Sequence, residues 1–150
     1  MSVMLVRDFM IKDVYMLKED DTIKTLLETL SKNKIGGLPI VNDYSQIIGM
    51  VSDGDVLRHI SPKTYSSYLM FYKEDLEEVI PHRGTDEIKS IMKKNVVTLN
   101  QDDDLETALK ILSKHHFKKL PVINGAKQVV GIVSRGDVIR KITDKVLNVM

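Results

Sequence analysis

Two short runs hold the side chains best suited to chemistry, Ser52-Asp53-Gly54-Asp55-Val56 and Ser134-Arg135-Gly136-Asp137-Val138. Each follows a Gly-apolar-Val stretch, Gly49-Met50-Val51 or Gly131-Ile132-Val133, so each hydroxyl–carboxylate pair stands where an apolar strand gives way to a helix. A serine there, beside the free N–H groups of a first helical turn, is able to bind a phosphate oxygen. A carboxylate three residues on is able to accept both hydrogens of a ribose 2′,3′-diol. The same spacing also serves the fold alone, with serine as N-cap and aspartate in the first turn. Both readings stay open at this level, because a duplicated cap also duplicates.

Other chemistry finds little support. There is no Cys, which removes thiol nucleophiles, thiolate metal sites and disulfides, and suits a reducing compartment. No Gly-x-Ser-x-Gly, Walker-type or dinucleotide glycine motif occurs. His59, His82, His115 and His116 are scattered, and the adjacent pair would point about 100° apart on a helix. A cation near a helix C-terminus is the better reading of that pair. The sequence therefore predicts no enzyme and no metal.

The elements that position the two runs form a repeat. Shifted by 82 residues, 6–60 lies on 88–142 without a gap, with 23 of 55 positions identical. Val14–Leu17 and Val96–Leu99 are short and rich in β-branched residues, as strands are. The acidic clusters Glu19-Asp20-Asp21-Thr22 and Gln101-Asp102-Asp103-Asp104 follow, suited to capping the next helix. Ile23, Leu26, Leu27 and Leu30, and likewise Leu105, Ala108, Leu109 and Leu112, then line one helical face. Strands Leu38–Val41 and Ile47–Val51 come next, turning at Asn42–Ser45, and in the copy at Asn124-Gly125. A helix from Asp53 or Arg135 completes a β-α-β-β-α unit.

A unit of about 55 residues buries too little surface to be stable alone. The expectation is an α/β (α+β) fold of two units, 6–60 and 88–142, packed sheet to sheet about a pseudo-twofold axis, with two equivalent clefts as ligand sites. Residues 61–87 have no counterpart in the repeat. Tyr65, Tyr68, Leu69, Tyr72, Leu76, Val79 and Ile80 recur at helical spacing, which predicts a linker helix from Ser61-Pro62, ended by Pro81 and Gly84. A second short helix is expected over Thr85–Met92. The aromatic stripe would pack on the core, across a dimer interface or against a client protein.

The net charge of +1 hides an asymmetry. Residues 6–60 carry 7 Lys/Arg against 9 Asp/Glu, residues 61–87 carry 3 against 6, and residues 88–142 carry 11 against 5. A positive field in the second unit favours a phosphate-bearing ligand, and solvated helix lysines account for the count equally well. The overall charge gives no expectation of nucleic acid. No run approaches the ~20 apolar residues that span a bilayer, and no signal peptide is read, so a cytoplasmic location is expected.

The ungapped pair of units, the Leu38-Pro39-Ile40-Val41 and Leu120-Pro121-Val122-Ile123 strands, and the Gly-Met-Val-Ser-Asp-Gly-Asp and Gly-Ile-Val-Ser-Arg-Gly-Asp endings resemble a tandem CBS-domain pair, or Bateman module. The resemblance covers residues 6–142. It implies a non-catalytic regulatory module for energy sensing, with AMP, ADP or ATP as ligand and no cofactor. It also implies a homodimer and an unidentified client. A ligand-free interaction or scaffold module is the alternative.

Carried over position by position, the resemblance makes Ser134 with Asp137, and Ser52 with Asp55, the phosphate and ribose groups. It places the base for Asp137 against Met10, Tyr15, Ile35 and Gly37, and for Asp55 against Met92, Val97, Phe117 and Lys119. Ile132 belongs to the Asp137 site through its strand. Lys118 and Lys119 would reach phosphates in the Asp137 cleft, where the other has Gly36 and Gly37. Arg135 stands where the other has Asp53, so the Asp137 cleft is expected to be the stronger nucleotide site.

Overall fold

The computed structural model describes residues 3–66, 71–115 and 118–149. Elements run in the order α1 (Val6–Phe9), β1 (Leu17–Lys18), α2 (Ile23–Asn33), β2 (Gly37–Val41), β3 (Ile47–Ser52), α3 (Asp53–Ile60), β4 (Thr64–Ser66), β5 (Phe71–Lys73), α4 (Leu76–Arg83), β6 (Leu99–Asn100), α5 (Leu105–His115), β7 (Lys119–Ile123), β8 (Val129–Ser134) and α6 (Arg135–Val149). A 3₁₀ turn covers Ile88–Ser90. Both repeats are thus β-α-β-β-α. Each builds a three-stranded sheet, in the orders β1-β2-β3 and β6-β7-β8.

The first strand of each repeat is shorter than expected. Only Leu17 and Lys18 pair with Ile40 and Val41, and only Leu99 and Asn100 with Val122 and Ile123, both in parallel. The acidic clusters stop these strands. Asp21 Oδ2 accepts from Lys18 N at 2.8 Å, and Asp103 Oδ2 accepts from Asn100 N at 2.8 Å. Thr22 and Asp104 then bond the N–H of Thr25 and Thr107, opening α2 and α5. Among the described residues no three His, Asp or Glu side chains converge as a metal site would require. No helix among them is long and apolar enough to cross a membrane.

The chain divides into two compact bodies whose limits are not those of the repeats. The first body is Met16–Asn42 with Ile48–Lys94, and the second is Met1–Tyr15, Asp43–Ile47 and Asn95–Met150. Each body therefore combines the sheet of one repeat with the lead segment of the other.

In the first body the segment before the second repeat satisfies the exposed start of α2. Ile23 N donates to Asp86 O and Lys24 N to Gly84 O, each at 2.9 Å, and Ile88 N donates to Asp21 O at 2.8 Å. Ile88 is fully buried with Ile23, Leu26, Leu38 and Ile40. In the second body the N-terminal segment has the same task. Leu105 N donates to Met4 O at 3.0 Å, Val6 N donates to Asp103 O at 2.7 Å, and Val6 joins the core of Leu99, Leu120 and Val133. Helix starts buried in this way need such partners, since their first N–H groups have none within the helix.

Residues 61–87 correct the expectation of one long linker helix. Thr64–Ser66 and Phe71–Lys73 form an antiparallel pair with Tyr65 opposite Tyr72. Tyr68 and Leu69 lie outside the described residues. Aromatic and β-branched residues suit this pairing better than a helix. The helix starts only at Leu76, where the Asp75 carboxylate accepts from Glu77 N at 3.0 Å. Pro81 lies inside it rather than ending it, and Gly84 closes it through a 2.8 Å bond to Ile80 O. Pro81 has no N–H to give to the carbonyl four residues earlier, that of Glu77, an exposed residue. The short helix expected over Thr85–Met92 is reduced to the 3₁₀ turn.

Arg83 ties this insert to the end of α3. Its guanidinium donates to the carbonyls of His59 and Ser61 at 3.3 and 3.0 Å and to both oxygens of Glu74 at 2.9 Å. The Arg83 bond is the largest influence holding the Glu74 carboxyl below its ordinary value. His59 Nε2 lies 2.8 Å from Asp86 Oδ2.

Candidate functional site

Strands β3 and β8 alternate inward and outward, so Val51 and Val133 enter the cores while Ser52 and Ser134 end the strands at helix starts. Ser52 is the N-cap of α3. Its hydroxyl accepts from Asp55 N at 3.3 Å, and Asp55 Oδ2 accepts from Ser52 N at 2.9 Å and Ser52 Oγ at 3.1 Å. Ser134 and Asp137 repeat this arrangement with bonds of 2.9, 2.9 and 3.2 Å. Each pair is thus a reciprocal cap. A ligand at these groups would have to share or replace capping bonds.

The second oxygen of each aspartate meets an arginine that the sequence reading passed over. Arg58 Nη2 lies 2.6 Å from Asp55 Oδ1, and Arg140 Nη2 lies 2.7 Å from Asp137 Oδ1. Both arginine side chains are 70% exposed, while the aspartates are 7% and 11% exposed. The signal was available, since Arg58 and Arg140 are identical across the repeat and stand one helical turn after the aspartates. At Asp137 burial opposes ionisation most strongly. The Ser134 N–H, the Ser134 hydroxyl and Arg140 together outweigh it and hold the carboxyl below its usual value.

Behind each pair a methionine of the lead segment covers a glycine of the strand. Met10 lies over Gly131 and Met92 over Gly49, so closely that neither glycine has room for a side chain. Backbone bonds fix the contact. Ile11 and Ile132 exchange N–H···O bonds of 2.9 Å, and Met50 and Lys93 exchange bonds of 2.9 and 2.8 Å. This brings Met10 and Ile132 into the body of Asp137, and Met92 into the body of Asp55. It also delivers a residue absent from the sequence-based site. Lys93 Nζ lies 4.0 Å from Asp55 Oδ1.

The phosphate end expected for Asp137 assembles within the second body. Lys119 is opposite Ser134 in the β7–β8 register, and Lys118 O accepts from Arg135 N at 3.1 Å. In the first body the equivalent bond runs from Asp53 N to Gly36 O at 2.8 Å, and Asp53 Oδ2 sits 3.4 Å from the point where a Gly36 side chain would begin. Of the remaining expected residues, Tyr15 belongs to the second body and is half exposed. Val97 packs against the core of that body. Ile35 packs against the core of the first body, where Gly37 faces the Val51 carbonyl. Phe117 lies outside the described residues.

Two α/β bodies, each ending its last strand on a Ser-x-x-Asp cap, define a duplicated module, and comparison with known proteins gives the class. A family model for the CBS domain matches residues 6–62 and again 88–144, and the chain belongs to that family as a tandem pair. An uncharacterized protein of Methanocaldococcus jannaschii is 25% identical over 157 residues, covering 92% of this chain and 90% of that protein. The chloroplastic CBS domain-containing protein CBSX1 of Arabidopsis thaliana is 29% identical over 151 residues, covering 93% of this chain and 64% of that protein. The chain thus spans just under two thirds of that relative. The solved structure of CBSX2 in complex with AMP is 25% identical, with a TM-score of 0.74, covering 94% of this chain and 97% of that one.

Proposed function

We propose that this chain is a non-catalytic regulatory module that binds an adenine nucleotide (AMP, ADP or ATP) at the site built on Ser134 and Asp137. The observation that carries the reading is the ordering of groups along that site. An aspartate held ionised at the start of α6 could accept a ribose diol, and Lys118, Lys119 and Arg135 gather at the adjoining strand start, where phosphates would lie. The solved complex of the similar CBSX2 with AMP supports the same ligand class. Cationic residues beside one helix start attract a phosphate-bearing ligand. That favours nucleotides over adenosine or S-adenosylmethionine.

Mass spectrometry of small molecules released from the purified protein, followed by calorimetry with AMP and ATP, tests the proposal. A nucleotide at 100 times its Kd should raise folding stability by about 2.7 kcal/mol. No stabilisation by any adenine nucleotide would overturn it.

A ligand-free interaction module is the second reading, and one observation favours it. Both aspartates already spend both oxygens on caps and arginines. In either case the module acts on a client, and we propose that it does so as a homodimer in the cytoplasm. Leu57 and Ile139, equivalent in the repeat, are 61% and 63% exposed on α3 and α6 and would supply apolar contact. Light scattering at micromolar concentration should give twice the 17.1 kDa chain mass. A 17 kDa species would count against the dimer.

A further inference from the structure

We infer that Lys93 closes the Asp55 site to ribose and so makes the module single-sited. This deepens the proposed nucleotide binding and rests on it. The two repeats place the same Ser, Asp, Arg, Gly and Met groups in the same relation, so the difference between the sites lies in what surrounds them. Lys93 and Ile11 occupy one repeat position. Each follows the covering methionine, and each is bridged to the equivalent strand residue, Met50 or Ile132.

The consequence falls on the carboxylate. A carboxylate offers roughly four acceptor directions, two on each oxygen. At Asp55, Oδ2 takes both donors of Ser52, while Oδ1 takes Arg58 at 2.6 Å and faces the Lys93 ammonium at 4.0 Å. Three directions are taken by hydrogen bonds, the Lys93 ammonium stands beside Oδ1 as a second cation, and the side chain is 7% exposed. At Asp137 the two Ser134 donors and Arg140 occupy three. Among the described residues Arg140 is the one cation paired with it, and the position of Lys93 holds an isoleucine. A ribose hydroxyl therefore finds an open acceptor at Asp137 and a cation in the way at Asp55.

In the second body Lys118, Lys119 and Arg135 adjoin the start of α6, with Lys119 opposite Ser134 and Lys118 O accepting from Arg135 N. In the first body the equivalent start of α3 has Gly36, Gly37 and the carboxylate of Asp53, whereas the added cation stands at the ribose carboxylate. A nucleotide entering the first body in the same orientation therefore meets the Lys93 ammonium at its ribose.

Exchanging the two residues tests this. Lys93 is 70% exposed, and its bonds to Met50 are made by its backbone, so Lys93→Ile leaves the fold's contacts in place. Calorimetry with AMP should give one site per chain in the wild type, two in Lys93→Ile, and loss of binding in Ile11→Lys. Asp137→Ala should weaken the wild-type site about 10- to 150-fold but leave one site at full strength in the Lys93→Ile background. A wild type that binds no nucleotide would sink the proposed function itself. A wild type with one site, unchanged by Lys93→Ile at the same thermal stability, would overturn the role of Lys93 while leaving that function standing. Two wild-type sites, one of them lost in Lys93→Ile, would make Lys93 a ligand group and overturn it as well.

Discussion

Gly131 lies beneath Met10 so closely that an added methyl group would stand 2.7 Å from Met10 Cγ and 3.1 Å from the Ile11 carbonyl oxygen. The methionine is able to swing aside, but the carbonyl is held by the Ile11–Ile132 bridge. Gly131→Ala should therefore destabilise the protein by about 1–3 kcal/mol, the usual range for overpacking. Adding Met10→Ala should recover only part of this. Gly125 has open space around its α-carbon, so Gly125→Ala should stay within about 0.5 kcal/mol of wild type in urea unfolding.

Asp137→Ala should remove a charge-assisted ribose contact worth roughly 1.5–3 kcal/mol and weaken AMP binding about 10- to 150-fold. Asp55→Ala should change AMP affinity far less. Calorimetry decides between the two, with thermal melts to confirm that both variants fold. Equal losses would refute the assigned asymmetry.

Lys118 and Lys119 should act on phosphate alone. Replacing both with Ala should lower ATP affinity while leaving adenosine affinity nearly unchanged, and ATP affinity should fall as salt rises. Salt-independent ATP binding would show that these lysines are ordinary solvated charges.

The lowered pKa of Asp137 predicts a pH dependence of stability. Its carboxyl has an ordinary value of 3.8 and titrates lower in the folded state, so the folded protein holds fewer protons on this group over that interval. The stabilisation is complete above the unfolded value and disappears as pH falls through the folded one. The stability difference between wild type and Asp137→Asn should accordingly shrink between about pH 5 and about pH 2. A constant difference across that range would assign the stabilisation to another group.

Much of the architecture follows from local pattern. The apolar faces of α2 and α5, the paired apolar strands and the Ser-x-x-Asp helix starts are short-range properties, repeated at an interval of 82 residues, and they appear where periodicity puts them. The insert departs from its helical spacing for a physical reason. Tyr65, Tyr72 and Leu76 fit a helical stripe, yet Tyr65 and Tyr72 are partners across a β4–β5 pair, and spacing alone does not separate the two when aromatic residues suit both.

Sequence by itself determined that the chain is duplicated, that each copy is β-α-β-β-α, and which hydroxyl and carboxylate groups stand at the helix starts. Only the tertiary structure decided their surroundings. Lead segments exchange between repeats, so Val6 completes a core made by residues 99–138 and Lys93 reaches Asp55 from 38 positions away. Periodicity is silent about such partners, because burial of Val6 and an ion pair at Asp55 depend on chain crossings that no local window contains. Two nearly identical caps therefore acquire different electrostatics from residues that the repeat, read alone, left outside the site.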